Sequence, residues 1–102
     1  MTIDTGTTKA KQTARAVRVW IEGGKLTRAG FAPGTNYIIA HGENRIDLAV
    51  DPEGRRAVTM SGRGDKARPI IDLHDKKVAA IFSDGDTVNV TYSQNAISLI
   101  KA

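Results

Sequence analysis

The chain is dominated by short runs in which apolar and polar residues alternate. Six such runs cover residues 17–21, 36–41, 45–50, 70–73, 87–92 and 96–101. In the first run, Val17, Val19 and Ile21 fall on one side of the chain. A period of two is that of a β-strand with one buried face, so each run is predicted to be a strand. Residues 55–60 can form a further strand.

Two segments between these runs have the composition of short helices. Residues 25–31 are predicted to form one or two helical turns that end near Gly30, and Asp75 is placed to cap a second helix that reaches Phe82. Residues 42–44 and 93–95 are typical of tight hairpin turns. The predicted fold class is therefore mostly β with two short helices.

An internal repeat organises these elements. A shift of 51 residues aligns positions 17–50 with positions 68–101 without a gap. Identical pairs are then Lys25 and Lys76, Ala29 and Ala80, Phe31 and Phe82, Gly34 and Gly85, Asn44 and Asn95, Ile46 and Ile97, and Leu48 and Leu99. Three short strands need a partner to bury their apolar face, and a second copy would supply it. We therefore predict a pseudo-dimer of two strand-helix-strand-strand repeats; the alternative is the generic periodicity of a β-rich chain.

The segments outside the repeats are polar. Residues 1–15 are rich in Thr and Lys with almost no large apolar side chain, which is typical of a disordered basic arm. Residues 51–67 are interpreted as a basic linker between the repeats. We expect a single domain over residues 16–102, made of the repeats 17–50 and 68–101.

Composition narrows the class of partner. The 102 residues carry a net charge of +4, which admits nucleic acid or an acidic protein as partner and favours polyanion binding over a merely solvated basic surface. There is no cysteine, so a disulfide framework and a thiolate zinc site are excluded. No run approaches the ~20 apolar residues that span a bilayer, and nothing resembles a signal peptide. We expect a cytoplasmic protein that does not bind membranes.

No grouping of residues indicates catalysis. His41 and His74 do not correspond in the repeat and have no metal-ligand spacing. Asp75 is better explained as a helix cap, and Asp84 and Asp86 as turn residues around Gly85. The sequence therefore predicts a protein that is not an enzyme and has no cofactor or metal site.

The first repeat resembles a known family. Leu26, Ala29, Gly30, Phe31 and Gly34 form the pattern Leu-x-x-Ala-Gly-Phe-x-x-Gly, which is similar to the SymE-like branch of the SpoVT/AbrB swapped-hairpin superfamily. The resemblance implies a small interleaved, β-barrel-like domain. Family members usually assemble it from two chains, whereas here one chain would supply both halves. The implied activity is DNA binding, as in transcription regulators and antitoxins.

The resemblance also implies which residues touch DNA. Basic residues of the first strand, the following loop and the helix start are Arg18, Lys25 and Arg28, with Arg68, Lys76 and Lys77 in the second repeat. Glu22, Asp72 and Asp75 lie beside them, which is a departure from the denser arginine cluster of the family's regulators.

The segment between the repeats adds Arg55, Arg56 and Arg63, and mobile arginines flanked by glycine can reach phosphates. We expect double-stranded DNA as partner. The alternative is a phage- or mobile-element-encoded interaction module that inhibits a host or toxin protein. A monomeric pseudo-dimer and a homodimer both fit the repeat.

Overall fold

The computed structural model describes residues 1–102 and contains ten strands and two short helices. In chain order these are β1 Thr2–Lys9, β2 Lys11–Gln12, β3 Val17–Glu22, α1 Gly24–Arg28, β4 Asn36–Gly42, β5 Arg45–Val50, β6 Arg56–Ala57, β7 Thr59–Ser61, β8 Arg68–Leu73, α2 Lys76–Ile81, β9 Thr87–Ser93 and β10 Ala96–Lys101. The predicted fold class, mostly β with two short helices, is confirmed. Neither helix is long or apolar enough to cross a lipid bilayer.

The strands form two antiparallel sheets. The large sheet has the order β1-β9-β10-β5-β4-β6, and the small sheet has the order β2-β3-β8-β7. The chain passes from one sheet to the other at Ala10, between β1 and β2, and at Val58, between β6 and β7. Both residues are buried. The sheets therefore meet at two corners, and each corner is made by a continuous stretch of chain.

The core fills the space between the sheets. Alternate residues of β3, Val17, Val19 and Ile21, point into it, as the period of two predicts. Phe31 and Phe82, which follow the two helices, are both fully buried. Truncating a buried phenylalanine to alanine typically costs about 3–5 kcal/mol, so these two rings are major contributors to stability.

The two repeats have the same backbone plan. We call residues 17–50 the first unit and residues 68–101 the second unit. The bounds of β3, β4 and β5 recur as those of β8, β9 and β10 after a shift of 51 residues. The hairpin residues Asn44 and Asn95 have φ values of 59° and 61°. Both hairpins therefore use the same left-handed turn residue.

An approximate two-fold axis relates the units. In the pairing of β5 with β10, Leu48 lies opposite Ile97 and Ile46 lies opposite Leu99, and the 51-residue shift exchanges these two pairs. The pairing of β3 with β8 has the same property. Each helix packs against the other unit, α1 on β8 and α2 on β3. The two units are thus interleaved rather than placed side by side.

The gapless alignment is wrong inside the helices. Gly23 and Asp75 occupy the N-cap positions, and the backbone N–H groups of Leu26 and Val78 donate to their carbonyls. The equivalent shift is therefore 52 residues there, which pairs Lys25 with Lys77 instead of Lys76.

The burial of Ala29 and the exposure of Ala80 agree with this shift of 52. The first unit returns to the 51-residue shift through one extra residue, Gly30, which has φ 94° after α1. Asp75 caps α2 as predicted, because its carboxylate accepts from the N–H groups of Lys77 and Val78.

The prediction of a disordered arm over residues 1–15 is wrong for most of its length. β1 pairs antiparallel with β9 from Thr2 to Lys9, and β2 pairs with β3. A strand at the edge of a sheet is held by backbone hydrogen bonds and needs few apolar side chains, so composition alone gave no sign of it. The predicted linker 51–67 likewise contains β6, β7 and a 3-10 turn over Gly64–Lys66.

Candidate nucleic-acid interface

The small sheet brings basic residues together at its two ends. Because β3 and β8 are antiparallel, the start of β3 and the end of β8 lie at the same end of the sheet. This end, called end A, holds Arg15 in the β2–β3 loop and Lys11, which pairs with Arg18 across the strands. The chain that leaves β8 continues directly into α2, which begins with Lys76 and Lys77.

The opposite end of the small sheet, called end B, repeats this arrangement. The N–H of Gly23 donates to the carbonyl of Pro69 at 3.2 Å, which joins the end of β3 to the start of β8. The β7–β8 loop here carries Arg63 and Lys66, and β8 begins with Arg68. α1 follows β3 at this end and contributes Lys25 and Arg28.

Arg18 is held within the protein. Its Nε and Nη2 atoms donate to the two carboxylate oxygens of Asp72 at 2.8 and 2.7 Å. Its guanidinium also lies over the Trp20 ring, 4.6 Å from the ring centre. The hydrogen bond to Asp72 raises the pKa of Arg18 above its ordinary value. Because Asp72 balances its charge, Arg18 adds little positive potential to the outer face of the small sheet.

Lys25 and Arg28 are also neutralised, by a residue of β1. Arg28 Nη2 donates to Asp4 Oδ2 at 2.7 Å, and Lys25 Nζ lies 3.8 Å from Asp4 Oδ1. Lys25 Nζ donates to the carbonyl of Thr5 at 2.5 Å. The hydrogen bond from Arg28 is the main cause that lowers the pKa of Asp4, so the carboxylate is charged at neutral pH. The first strand therefore masks the basic residues of α1.

The remaining basic residues predicted from the sequence differ in whether they have a partner within the protein. Arg56 Nη2 donates to the backbone carbonyl of Asp72 at 3.3 Å and is half-buried. The other five are exposed and make no ion pair: Arg55, Arg63, Arg68, Lys76 and Lys77. Two of these five residues lie at the start of α2, two lie in the β7–β8 loop and at the start of β8, and Arg55 lies just before β6.

The role of Asp4 could not be predicted from the sequence. It lies in a segment interpreted as disordered, and its contacts with α1 depend on the pairing of β1 with β9.

The aromatic residues divide between core and surface. Tyr37 is buried and makes an edge-on contact with Phe31, with 6.0 Å between ring centres, so it cannot stack on a base. Trp20 is half-buried and lines an open groove of about 490 Å³ together with Thr8, Lys25 and Tyr92. Only Trp20 of these aromatics is placed to meet a ligand at the small sheet.

The histidines and acidic residues form no metal centre. No group of three or more His, Asp or Glu side chains is close enough to hold a metal ion. Asp84 Oδ1 accepts from the N–H of Gln12 at 2.8 Å, and Asp86 Oδ2 accepts from that of Ser83 at 2.8 Å. These carboxylates are therefore engaged in fixing the turn before β9 and its contact with β2.

Comparison with models of known protein families, with curated protein sequences and with solved structures finds no match.

Proposed function

We propose that the protein binds duplex DNA through phosphate contacts made by the two ends of its small sheet. In this proposal it is a small transcription regulator or antitoxin of the AbrB/SymE-like type. The observation that carries the proposal is the pair of basic ends, which the approximate two-fold axis relates. End A contributes Lys76 and Lys77, and end B contributes Arg63 and Arg68.

The separation of the two ends suits a duplex. β3 has six residues, which at ~3.3 Å per residue gives roughly 20 Å along the sheet. One turn of B-form DNA is about 34 Å, so the two ends and their loops reach phosphates within a single turn. The free cations of the two ends are not equivalent residues: at end A they lie at the start of α2, whereas at end B they lie in the β7–β8 loop and at the start of β8, because Asp4 engages the cations of α1.

The charge pattern favours phosphate contacts over base reading. Arginine reads a guanine best through a planar, bidentate fork, and the fork of Arg18 is occupied by Asp72. The exposed cations at the two ends lie on loops and at a helix start, where they can follow the DNA backbone. We therefore expect binding that depends strongly on salt and weakly on sequence.

The test is the binding of a 30-base-pair duplex of random sequence at about 50 and 200 mM salt. Five phosphate contacts would give a slope of about −4.5 in log K against log salt, or a loss of two to three orders of magnitude over this range. The double variant Lys76→Ala/Lys77→Ala is expected to reduce the slope by about 1.8, and Arg63→Ala/Arg68→Ala by the same amount.

A matched control removes two positive charges from the large sheet. In Arg45→Ala/Lys101→Ala the lost cations are those paired with Asp47 and Asp86. This variant is expected to keep the wild-type slope. An affinity that does not change with salt, or an equal loss in the control, would contradict the proposal.

A further inference from the structure

The two outer strands of the units, β4 and β9, are equivalent but are covered differently. β9 is paired with β1 along its whole length, from Thr87 opposite Lys9 to Ser93 opposite Thr2. β4 is paired on its outer side only at Asn36 and Tyr37, by the two residues of β6. No strand lies beside the rest of β4. We call the outer side of residues 38–42 the open edge.

Side-chain burial shows that the open edge lacks a neighbour its counterpart has. Val90 and Tyr92 of β9, which has β1 beside it, are 2% and 4% exposed. Their equivalents after the 51-residue shift are Ile39, which is only partly buried, and His41, which is exposed. Ile38, on the other face of β4, is 47% exposed.

The backbone of the open edge is also without partners. The carbonyl of Asn36 accepts from Asp51 at the end of β5, so even-numbered residues of β4 direct their backbone groups toward β5. The N–H and C=O groups of Ile39 and His41 therefore point outward. On β9 the equivalent residues, Val90 and Tyr92, lie opposite Gly6 and Asp4 of β1.

The two edges also differ in whether the lysine of the nearby helix has a partner. Lys25, at the second position of α1, contacts Thr5 and Asp4 of β1. Lys77 occupies the equivalent position of α2, is exposed and makes no ion pair. The open edge thus combines unpaired backbone groups with a lysine, as the covered edge would without β1. Arg28, the nearer partner of Asp4, has Ala80 at the equivalent position of α2, so Lys77 is the one cation offered there.

From this equivalence we propose that the open edge binds an extended segment of a partner protein that carries one placed carboxylate. The segment adds a strand antiparallel to β4, and its backbone pairs with Ile39 and His41. A carboxylate at the position equivalent to Asp4 lies opposite His41 and contacts Lys77. The site takes extended segments with small or polar side chains around one acid, since β1 has that character.

A second copy of the chain fits this site less well. β4 itself contains no acidic residue, so a β4–β4 pairing across a two-fold axis supplies no partner for Lys77. The acid-bearing strand β1 is already paired with β9, and its Asp4 is engaged by Lys25 and Arg28. The chemistry therefore points to another polypeptide.

The probe is a synthetic peptide with the sequence of residues 2–9, titrated into the ¹⁵N-labelled full chain and followed by amide chemical shifts. We expect saturable shifts in residues 38–42 and at Lys77. Asparagine in place of the peptide's aspartate should weaken binding about two- to fivefold, which is the usual range for an exposed ion pair. Lys77→Ala should give the same loss.

Two further variants separate the contributions. Lys66→Ala removes an equal charge from the β7–β8 loop and is expected to bind the peptide like the wild type. His41→Pro removes a backbone donor that points outward, which leaves the pairing with β5 intact, and should abolish the shifts. It changes none of the cations assigned to DNA, so its duplex affinity should be unchanged.

Three results would overturn the proposal. One is the absence of saturable shifts up to about 1 mM peptide in a sample whose spectrum shows a folded protein. Another is a set of shifts confined to β1 and β9, which would mean that the peptide exchanges with the chain's own first strand. The third is dimerisation of the protein without peptide, lost in His41→Pro, which would make a second copy the occupant.

Discussion

The two units place the same backbone in different surroundings, and the outer strands show this most clearly. β9 carries Val90 and Tyr92 in the core because β1 lies beside them. β4 carries a partly buried Ile39 and an exposed His41 at the same positions. The burial of a side chain in a sheet thus depends on the strand beside it as much as on the face of the sheet to which it points. The sequence agrees, since an aromatic side chain stands where the cover exists and a histidine where it does not.

The sharpest test of this comparison is truncation of the two equivalent residues. Tyr92→Ala should lower the free energy of unfolding by about 3–5 kcal/mol, as for other large buried aromatic side chains. His41→Ala should change it by no more than about 0.5 kcal/mol, as is usual on a surface. Chemical denaturation of the two variants measures both. Similar losses would mean that the open edge is covered in solution.

A smaller effect is expected at the helix ends, where the units also differ. Gly30 has φ 94°, and a Cβ there would lie 2.4 Å from Asn95 Oδ1, so Gly30→Ala should cost about 2 kcal/mol. Gly34 and Gly85 have φ values of 86° and 87° with open space around them. Alanine at either should cost about 1 kcal/mol, and nearly the same amount in both units. Thermal unfolding of the three variants measures the order of these losses in stability. Clearly unequal losses at Gly34 and Gly85 would contradict the equivalence of the two turns.

The smallest effect concerns the acid that holds β1. The hydrogen bond from Arg28 lowers the pKa of Asp4 in the folded protein. A carboxylate with a depressed pKa adds stability above its unfolded pKa, and this is lost as pH falls through the folded value. Wild-type protein should therefore lose stability below about pH 4, and Asp4→Asn should lose less between pH 7 and pH 3. Denaturation midpoints at the two pH values test this, and equal drops would show that Asp4 does not contribute.

Much of the fold could be predicted because it depends on local patterns. The alternation of apolar residues located the six strands of the two units, and the repeat linked them in pairs. β1 could not be predicted, because its pairing with β9 uses backbone groups that every sequence has. The shift of 52 residues in the helices was hidden for a similar reason. It follows from Gly23 and Asp75 acting as equivalent caps with unlike side chains.

The candidate site could be predicted only as a set of residues. The basic positions were visible in the sequence, but their availability depends on long-range ion pairs. Asp4 meets Arg28 across 24 residues and Asp72 meets Arg18 across 54 residues. Charge counting treats all nine basic residues alike, whereas three of them are engaged in ion pairs in the fold and a fourth, Arg56, donates to a backbone carbonyl.

The approximate two-fold axis passes through a contact that identical units could not make. Asp47 and Ser98 are equivalent positions, yet they lie opposite each other in the pairing of β5 with β10. Ser98 Oγ donates to Asp47 Oδ1 at 2.6 Å. A symmetric dimer of the first unit would set two aspartates face to face there. Joining the units in one chain lets the two equivalent positions carry different residues, so an Asp–Ser hydrogen bond stands where such a dimer would have two facing carboxylates.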